Sequence, residues 1–236
     1  PQSGWGGRVI FWCVNFKDEN EGFVTGSSGI IINTKDGGKT WKRCKTDSRA
    51  RLLDLCMVDE KNGFIVGENN THLKTTDAGL TWEAVSPGER VRVGESRNNL
   101  EGVAFATPEI GCIIGSYGTI LNTKDGGKTW VEQKPSVTNN LFSIYFLDDK
   151  NGWIAGQEGM ILHTADAGES WKVQNTDTYD NLHEITFVSK EVGWTVGDYG
   201  TVLNTTDGGK TWKKLEICNS TLRACSSIKP NHCWTV

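Results

Sequence analysis

An eight-residue pattern, T-x-D-x-G-x-[ST]-W, occurs five times in the chain and constrains its fold more than any other feature. The copies span residues 34–41, 75–82, 123–130, 164–171 and 205–212. The tryptophans that end them are therefore separated by 41, 48, 41 and 41 residues. A period of this length is typical of propeller blades or solenoid turns rather than of a fold that is built once.

The residue types of the octet are those of a tight hairpin. The Asp side chain is short enough to accept hydrogen bonds from nearby backbone N–H groups and so to hold a turn. The second Gly suits a backbone position with positive φ, and the Trp offers a large ring for burial between layers. Because the same acid recurs in every copy, we predict a structural role rather than a catalytic or calcium-binding one. The predicted structural residues are Asp36, Asp77, Asp125, Asp166 and Asp207, with Trp41, Trp82, Trp130, Trp171 and Trp212.

The remainder of each period also repeats. An alternating apolar segment comes first, a second apolar segment lies between two glycines, and a third strand runs into the octet, whose Trp opens a fourth. The first strands are predicted at Phe11–Phe16, Leu52–Met57, Leu100–Phe105, Leu141–Phe146 and Leu182–Phe187, and the second at Gly22–Gly26, Gly63–Gly67, Gly111–Gly115, Gly152–Gly156 and Gly193–Gly197. Four short antiparallel strands per period, without helical periodicity, predict an all-β fold, a β-propeller with Asp-box hairpins.

The periods predict five complete blades and a partial one within a single β-propeller domain, residues 1–236. The blades are expected at about 8–47, 48–88, 96–136, 137–177, 178–218 and, for the partial blade, 219–236. In the last segment Cys233 and Trp234 stand where Gly193 and Trp194 stand in the preceding blade. We expect the chain to be part of a six- or seven-bladed propeller; five blades with a C-terminal flap are the alternative.

Composition narrows the function classes. The formal net charge is −4 with an isoelectric point near 5.6, which gives no global basic signature, so no nucleic-acid partner is expected. The apolar runs are too short to span a membrane. The seven cysteines form no CxxC pair and the four histidines are scattered, so neither a metal site nor another cofactor is expected. A disulfide from Cys218 or Cys225 to Cys233 and a set of free thiols are both open.

The blade from Leu182 to Trp212 resembles the repeats of the photosystem II stability/assembly factor family. The resemblance rests on Gly193-Trp194-Thr195-Val196-Gly197 and on the run Gly200 to Trp212, which contains the fifth octet, and it extends over nearly the whole chain. It implies a seven-bladed, non-enzymatic factor in the thylakoid lumen that contacts the precursor of the reaction-centre D1 subunit. We expect an exported monomer, in the thylakoid lumen or in a periplasmic or extracellular setting, that is membrane-associated only through its protein client.

Arginines cluster between the blades and are the candidate client-binding residues. The third repeat carries an insert, 87–97, with three of them, and others lie at or near equivalent inter-blade positions. The tentative set is Arg49, Arg51, Arg90, Arg92, Arg97 and Arg223. Arginine suits bidentate recognition of carboxylates, and the resembled family has an Arg-rich face that meets its client. The alternative is a set of solvated loop charges, partly offset by Glu89 and Glu95.

Two hypotheses of function are alternatives to a protein-binding scaffold. Asp boxes also occur in glycoside hydrolases of sialidase-like and glucanase-like types, which need two carboxylates across a cleft. Glu158 and Asp198 fall at neighbouring equivalent turns and are the candidates. Tyr117 and Tyr199 also occupy equivalent positions, which favours packing or a role in a turn over catalysis. The other hypothesis is an extracellular binding propeller of unassigned role.

Overall fold

The computed structural model describes residues 9–85, 98–133, 137–230 and 232–236. Contacts divide the chain into two compact units, Pro1–Val103 and Ala104–Val236, and the boundary falls inside the first strand of the third blade. Each unit is built from short antiparallel sheets. Within the described ranges, no helix has the length and apolar character needed to cross a membrane.

The strands follow the predicted order blade by blade. The first blade contains β1 (Phe11–Phe16), β2 (Gly22–Gly26), β3 (Ile31–Thr34) and β4 (Lys42–Arg43). The second contains β5 (Lys45–Thr46), β6 (Leu52–Met57), β7 (Gly63–Gly67), β8 (Thr71–Thr75) and β9 (Thr81–Ala84). The third contains β10 (Leu100–Phe105), β11 (Gly111–Gly115), β12 (Ile120–Thr123) and β13 (Val131–Gln133).

The second unit continues the same order. The fourth blade contains β14 (Leu141–Phe146), β15 (Gly152–Gly156), β16 (Ile161–Thr164) and β17 (Lys172–Gln174). The fifth contains β18 (Leu182–Phe187), β19 (Gly193–Gly197), β20 (Thr201–Thr205) and β21 (Lys213–Glu216), and the partial blade contains β22 (Cys225–Lys229) and β23 (His232–Thr235). Four 3₁₀ turns join second to third strands, at Ser27–Gly29, Ser116–Gly118, Gln157–Gly159 and Asp198–Gly200.

A bulge near the start of the first strand sets which side chains reach the core. In the fifth blade Leu182 pairs with Gly197 and Glu184 with Val196, so one extra residue lies between the two pairs. Leu182 and Ile185 would face opposite sides of a regular strand, yet both are fully buried. The extra residue restores them to one face. The fourth blade has the same irregularity between Leu141 and Ser143.

The second blade differs from the prediction of four strands, because β5 adds a fifth. The sheet order is β5-β9-β8-β7-β6, and Lys45 and Thr46 run parallel to Thr81 and Trp82. The buried Cys44 still bonds to β3 through its N–H, whereas the N–H of Lys45 donates to Leu80 O at 3.0 Å. One residue is therefore enough to carry the chain from the first sheet to the edge of the second.

The octets form hairpins in which one carboxylate accepts several hydrogen bonds. In the third blade the Thr129 N–H donates to Asp125 Oδ1 at 2.9 Å and the Thr129 hydroxyl to Oδ2 at 2.6 Å. The Thr123 hydroxyl donates to the same carboxylate and accepts from the Gly127 N–H. Burial raises the pKa of Asp125, but the hydrogen bonds from Thr129 and Thr123 outweigh it and lower the pKa to about 2. The second Gly of every octet has positive φ, at Gly38, Gly79, Gly127, Gly168 and Gly209.

Aromatic pairs fill the blades behind the hairpins. Phe187 packs edge-on against Trp212 of its own blade, with ring centroids 6.0 Å apart, and stacks on Trp153 of the fourth blade at 3.6 Å. In the second blade Met57 takes the place of that Phe, and Phe23 from the first blade packs on Trp82 instead. In the other four blades the octet tryptophan thus packs on the Phe that ends the first strand of its own blade, whereas Trp82 packs on a residue of the second strand of the first blade.

All seven cysteines lie in the described ranges, and Cys218, Cys225 and Cys233, the three considered for a disulfide, are not linked to one another. In the ladder of β22 and β23, Cys225 pairs with Thr235 and Cys233 with Ser227, so the two thiols are diagonal rather than opposite. Cys218 is exposed and contacts Ser220 O. Of the two alternatives left open by the sequence, the structure has the free thiols.

Candidate functional site

The blades have two chemically different ends. Consecutive strands are antiparallel, so the connections alternate between the ends. One end, the Asp-box end, carries the octet hairpins and the loops from first to second strands. The other, the turn end, carries the 3₁₀ turns and the loops that lead into the next blade.

Each 3₁₀ turn holds a residue other than glycine in the left-handed region. The central residues Ser28, Tyr117, Glu158 and Tyr199 have φ values of 57°, 55°, 58° and 55°. Such values are uncommon outside Gly, Asn and Asp, and they are most unusual for a bulky side chain. The turn end therefore repeats one strained backbone shape while changing the side chain that it displays.

The loop into the next blade holds this shape by hydrogen bonds. The N–H of Tyr117 donates to Asn140 Oδ1 at 3.0 Å, and the N–H of Gly118 donates to Asn139 O at 2.9 Å. In the next blade the N–H of Glu158 donates to Asn181 Oδ1 at 3.1 Å. Because the loop fixes the turn from outside, the backbone strain persists whatever side chain stands at its centre.

The two tyrosines of these turns are exposed, by 70% for Tyr117 and 75% for Tyr199. Of the two roles predicted from their equivalent positions, packing or a role in a turn, the structure has the role in a turn. A left-handed residue at the tip of the turn directs its side chain away from the sheet. Tyr179, in the loop before β18, is 89% exposed.

A cluster of polar groups lies beside the turn of the fifth blade. His183 Nε2 is 2.8 Å from Asp198 Oδ1 and 3.4 Å from Arg223 Nη1, and the His183 ring packs on Phe142. Thr221 and Asn181 also donate to the Asp198 carboxylate. A protonated Nε2 that donates to Asp198 cannot accept from Arg223, and the carboxylate is much the closer partner.

The cluster therefore leaves the Arg223 guanidinium without an ionic partner among the described residues. Its exposed donors are available to a carboxylate from outside the chain. The sequence pointed to Arg223 but not to His183. A signal was present, since each of the two residues directly follows a buried leucine, Leu182 or Leu222.

In the first unit Arg49 and Arg51 lie in the loop between β5 and β6. Arg51 Nε is 3.1 Å from Glu68 Oε1, and its guanidinium lies 5.7 Å from the centre of the Trp12 ring. Arg49 is exposed and forms no ion pair in the described part of the chain. Arg51 is thus engaged by its own chain, whereas Arg49 is not. Arg90, Arg92 and Arg97 lie outside the described residues.

The two candidate hydrolase carboxylates occupy the turns where the sequence placed them. Burial raises the pKa of Asp198, but hydrogen bonds from His183 and Asn181 outweigh it and lower the pKa below its usual value. A glycosidase general acid needs the opposite shift, a raised pKa. Asp198 is therefore unsuited to the role of general acid. Glu158 accepts a hydrogen bond from Asn139 at 3.3 Å.

Comparison with known proteins agrees with the repeat pattern. The family model described as photosynthesis system II assembly factor YCF48 matches residues 7–90, 84–179 and 169–229, which together span most of the chain. The chain belongs to the YCF48 family. No curated protein matches the sequence.

Solved structures place the fold among β-propellers. The structure titled "YCF48 bound to D1 peptide" is 20% identical, covers 96% of this chain and 88% of its own, and has a TM-score of 0.53. YCF48 from Cyanidioschyzon merolae is 14% identical, covers 100% of this chain and 94% of its own, and has a TM-score of 0.54. The GH74 enzyme of Niastella koreensis is 15% identical, with a TM-score of 0.72 over 86% of this chain and 38% of its own. At these identities the solved structures establish the fold, a β-propeller of Asp-box repeats, and the family model establishes the YCF48 family.

Proposed function

We propose that this member of the photosystem II assembly factor family is a non-catalytic scaffold that binds a D1-type reaction-centre subunit, in its precursor form, through arginines of the turn end. The observation that carries the proposal is the family match, together with a similar solved structure whose title records a bound D1 peptide. What that relative binds is carried over here as an inference about this chain.

The charges of the turn end support this assignment. Arg49 and Arg223 are exposed and have no ion pair among the described residues. Arginines that their own chain leaves unpaired retain their donors for a peptide carboxylate, which the planar guanidinium binds in a bidentate manner. Arg90, Arg92 and Arg97 belong to the proposed set on the strength of their sequence positions. Arg51 has a weaker claim, because Glu68 and Trp12 already engage it.

The proposal includes the setting. From a photosystem II client we infer that the protein is an exported monomer in the thylakoid lumen, associated with the membrane only through that client.

The second candidate function, an Asp-box glycoside hydrolase, is supported by the fold similarity to a GH74 enzyme. Against that candidate, Asp198 is unsuited to act as the general acid, and its carboxylate is already bound by His183, Asn181 and Thr221.

The experiment is capture from a detergent extract of thylakoid membranes by the immobilised intact protein. Two charge-reversal variants are compared with it, R90E/R92E/R97E and R49E/R223E. The matched control is K128E, an exposed charge on the Asp-box hairpin of the third blade. We expect capture of the D1-type subunit by the unchanged protein and by K128E, and its loss in both arginine variants.

The alternatives give different results in the same experiment. Capture that survives both arginine variants would remove the arginine face from the proposal. Capture of unrelated envelope proteins would retain a binding scaffold but exclude the photosynthetic client. Turnover of glycoside substrates without any capture would favour the hydrolase.

A further inference from the structure

Three exposed tyrosines mark the turn end of the second unit. Tyr117 is 70% exposed, Tyr179 is 89% and Tyr199 is 75%. Tyr117 and Tyr199 stand at the tips of the turns of the third and fifth blades, and Tyr179 lies in the loop that meets the turn of the fourth. Exposed tyrosines provide a large contact area with little conformational freedom to lose, which is why they are enriched where proteins bind one another.

The fold itself does not require these rings. Ser28 and Glu158 stand at the centre of the same turn, with the same positive φ. Asn or Gly would adopt this φ with less strain than Tyr. A residue that strains the backbone and contributes no packing to its own chain is best explained by a contact with another molecule.

The loop around Tyr179 brings the tyrosines together with carboxylates. The N–H of Gly159 donates to Asp180 O at 2.9 Å, so Tyr179 lies beside the turn that carries Glu158. Glu158 and Asp177 are exposed and form no ion pair within the described ranges. Of the other charged groups nearby, Lys214 is bound by Asp180 at 2.9 Å and Asp198 is bound by His183. Arg223 is the remaining cation, and it lies beside His183.

We propose that Tyr117, Tyr179 and Tyr199 form a second interaction surface, which binds a basic, extended segment of a protein. The tyrosine rings would take lysine or arginine side chains by cation–π contact. The carboxylates of Glu158 and Asp177, which accept hydrogen bonds from Asn139 and Asn175 but form no ion pair among the described residues, would pair with the same cations. Charge complementarity selects this partner over an acidic one. The surface adjoins Arg223, but the proposal differs from the arginine one in the residues that it uses and in the charge of the ligand that it binds.

The test measures binding of a defined probe, a fluorescent ten-residue peptide that alternates Lys and Gly, by anisotropy at physiological salt. A peptide with Glu in place of Lys is the reverse-charge probe. Three variants of the intact chain are compared: Y117N/Y199N, Y179N and E158Q. E132Q, which makes the same change to an exposed acid on the outer strand β13, is the matched control.

We expect Y117N/Y199N to weaken binding of the Lys peptide by tenfold or more, with smaller losses for Y179N and E158Q and none for E132Q. Because Asn tolerates positive φ, the melting temperature of Y117N/Y199N should stay unchanged or rise by roughly 2 °C. Loss of binding together with unchanged or greater stability separates a binding role from a structural one.

Three outcomes would overturn the proposal: no binding of the Lys peptide, binding unaffected by Y117N/Y199N, or equally strong binding of the Glu peptide. None of them depends on the D1-type client, because that proposal is tested with other residues and another ligand. Conversely, a failed capture of the D1-type subunit would leave this surface intact.

Discussion

The two ends of the blades use the same backbone device for different purposes. At the Asp-box end the left-handed positions are held by Gly or Ala, as at Gly126, Gly127, Ala167 and Gly168. At the turn end each 3₁₀ turn pairs a left-handed Gly, at 29, 118, 159 and 200, with a left-handed central residue that varies: Ser28, Tyr117, Glu158 and Tyr199. The first end keeps its residue types and hydrogen bonds from blade to blade. The second keeps its backbone, its glycine and the hydrogen bond from that glycine to the following loop, but changes the central side chain.

This difference distinguishes positions that stabilise the fold from positions that are available to bind a ligand. A position at which one residue type recurs in every blade answers a requirement that every blade shares. A position at which the backbone recurs but the side chain changes is free to serve a contact that only some blades make. The turn end is therefore where binding residues are expected, on a frame that the Asp-box end stabilises.

The largest loss of stability is expected for G159A, a variant that tests whether the backbone of the 3₁₀ turns is as rigid as that of the Asp-box hairpins. A Cβ at Gly159, which has φ +70°, would overlap the carbonyl oxygen of Thr178. G159A should lower stability by about 3 kcal/mol, because backbone atoms cannot move aside as a flexible side chain would. Thermal unfolding should show a melting temperature lower by roughly 6 to 12 °C.

G126A is the matched control for that variant. Gly126 has a similar φ of +69°, but its Cβ would lie 3.1 Å from the nearest atom, Pro108 O. Ala already occupies this octet position at Ala78 and Ala167. G126A should cost about 1 kcal/mol or less. Equal melting temperatures for G159A and G126A would contradict a turn backbone that is fixed by the following loop.

Removing one carboxylate at the Asp-box end should have the next largest effect. D125A leaves the Thr129 N–H and hydroxyl without their acceptor, and hydrogen bonds to a charged group contribute about 2 kcal/mol. The melting temperature should fall by roughly 4 to 8 °C. D149A, at an exposed acid of the loop between β14 and β15, should melt like the unchanged protein.

Asp125 should also make the stability of the protein depend on pH. The folded pKa of Asp125, about 2, lies below its usual value of 3.8. Its contribution to stability is thus fully present above about pH 4 and is lost as the pH falls through 2. The difference in melting temperature between the unchanged protein and D125A should shrink between pH 4 and pH 2. A difference that stays constant over this range would show that the charge of Asp125 does not stabilise the hairpin.

The smallest change in melting temperature is expected for E158N, which tests backbone strain at the turn end. E158N places a residue that tolerates the left-handed region at φ 58°, and should raise the melting temperature by roughly 2 °C. E158Q removes the same charge but keeps an unbranched side chain that does not favour this φ, so it should give no increase. An equal increase in both would attribute the effect to charge rather than to backbone strain.

Sequence periodicity predicted the strands well because each carries a local signal. Glycines bracket every second strand, and the bounds Gly152–Gly156 and Gly193–Gly197 are those of the structure. The two-residue strand β5 was missed, because its partner β9 belongs to another blade and nothing in Lys45-Thr46 signals parallel pairing.

The candidate site was predicted less completely than the fold. The inter-blade position of Arg223 could be read from its offset within the repeat. The contact of His183 with Asp198 could not, since the two residues are far apart in the repeat and meet only across the bulged strand. The sequence left packing and a role in a turn open for Tyr199 and could not separate them, since a Tyr at a left-handed position carries no local signal.

The most direct test of this account compares the two ends in one binding measurement. The affinity for a D1-type peptide is determined for the unchanged protein, D125A and R49E/R223E, well below the melting temperature of each. We expect D125A to melt at a lower temperature but to bind within about twofold of the unchanged protein. R49E/R223E should melt normally and bind at least tenfold more weakly, which corresponds to about 1.4 kcal/mol. If D125A lost the peptide while melting normally, or R49E/R223E bound it fully, the assignment of stability to the Asp-box end and binding to the turn end would be wrong.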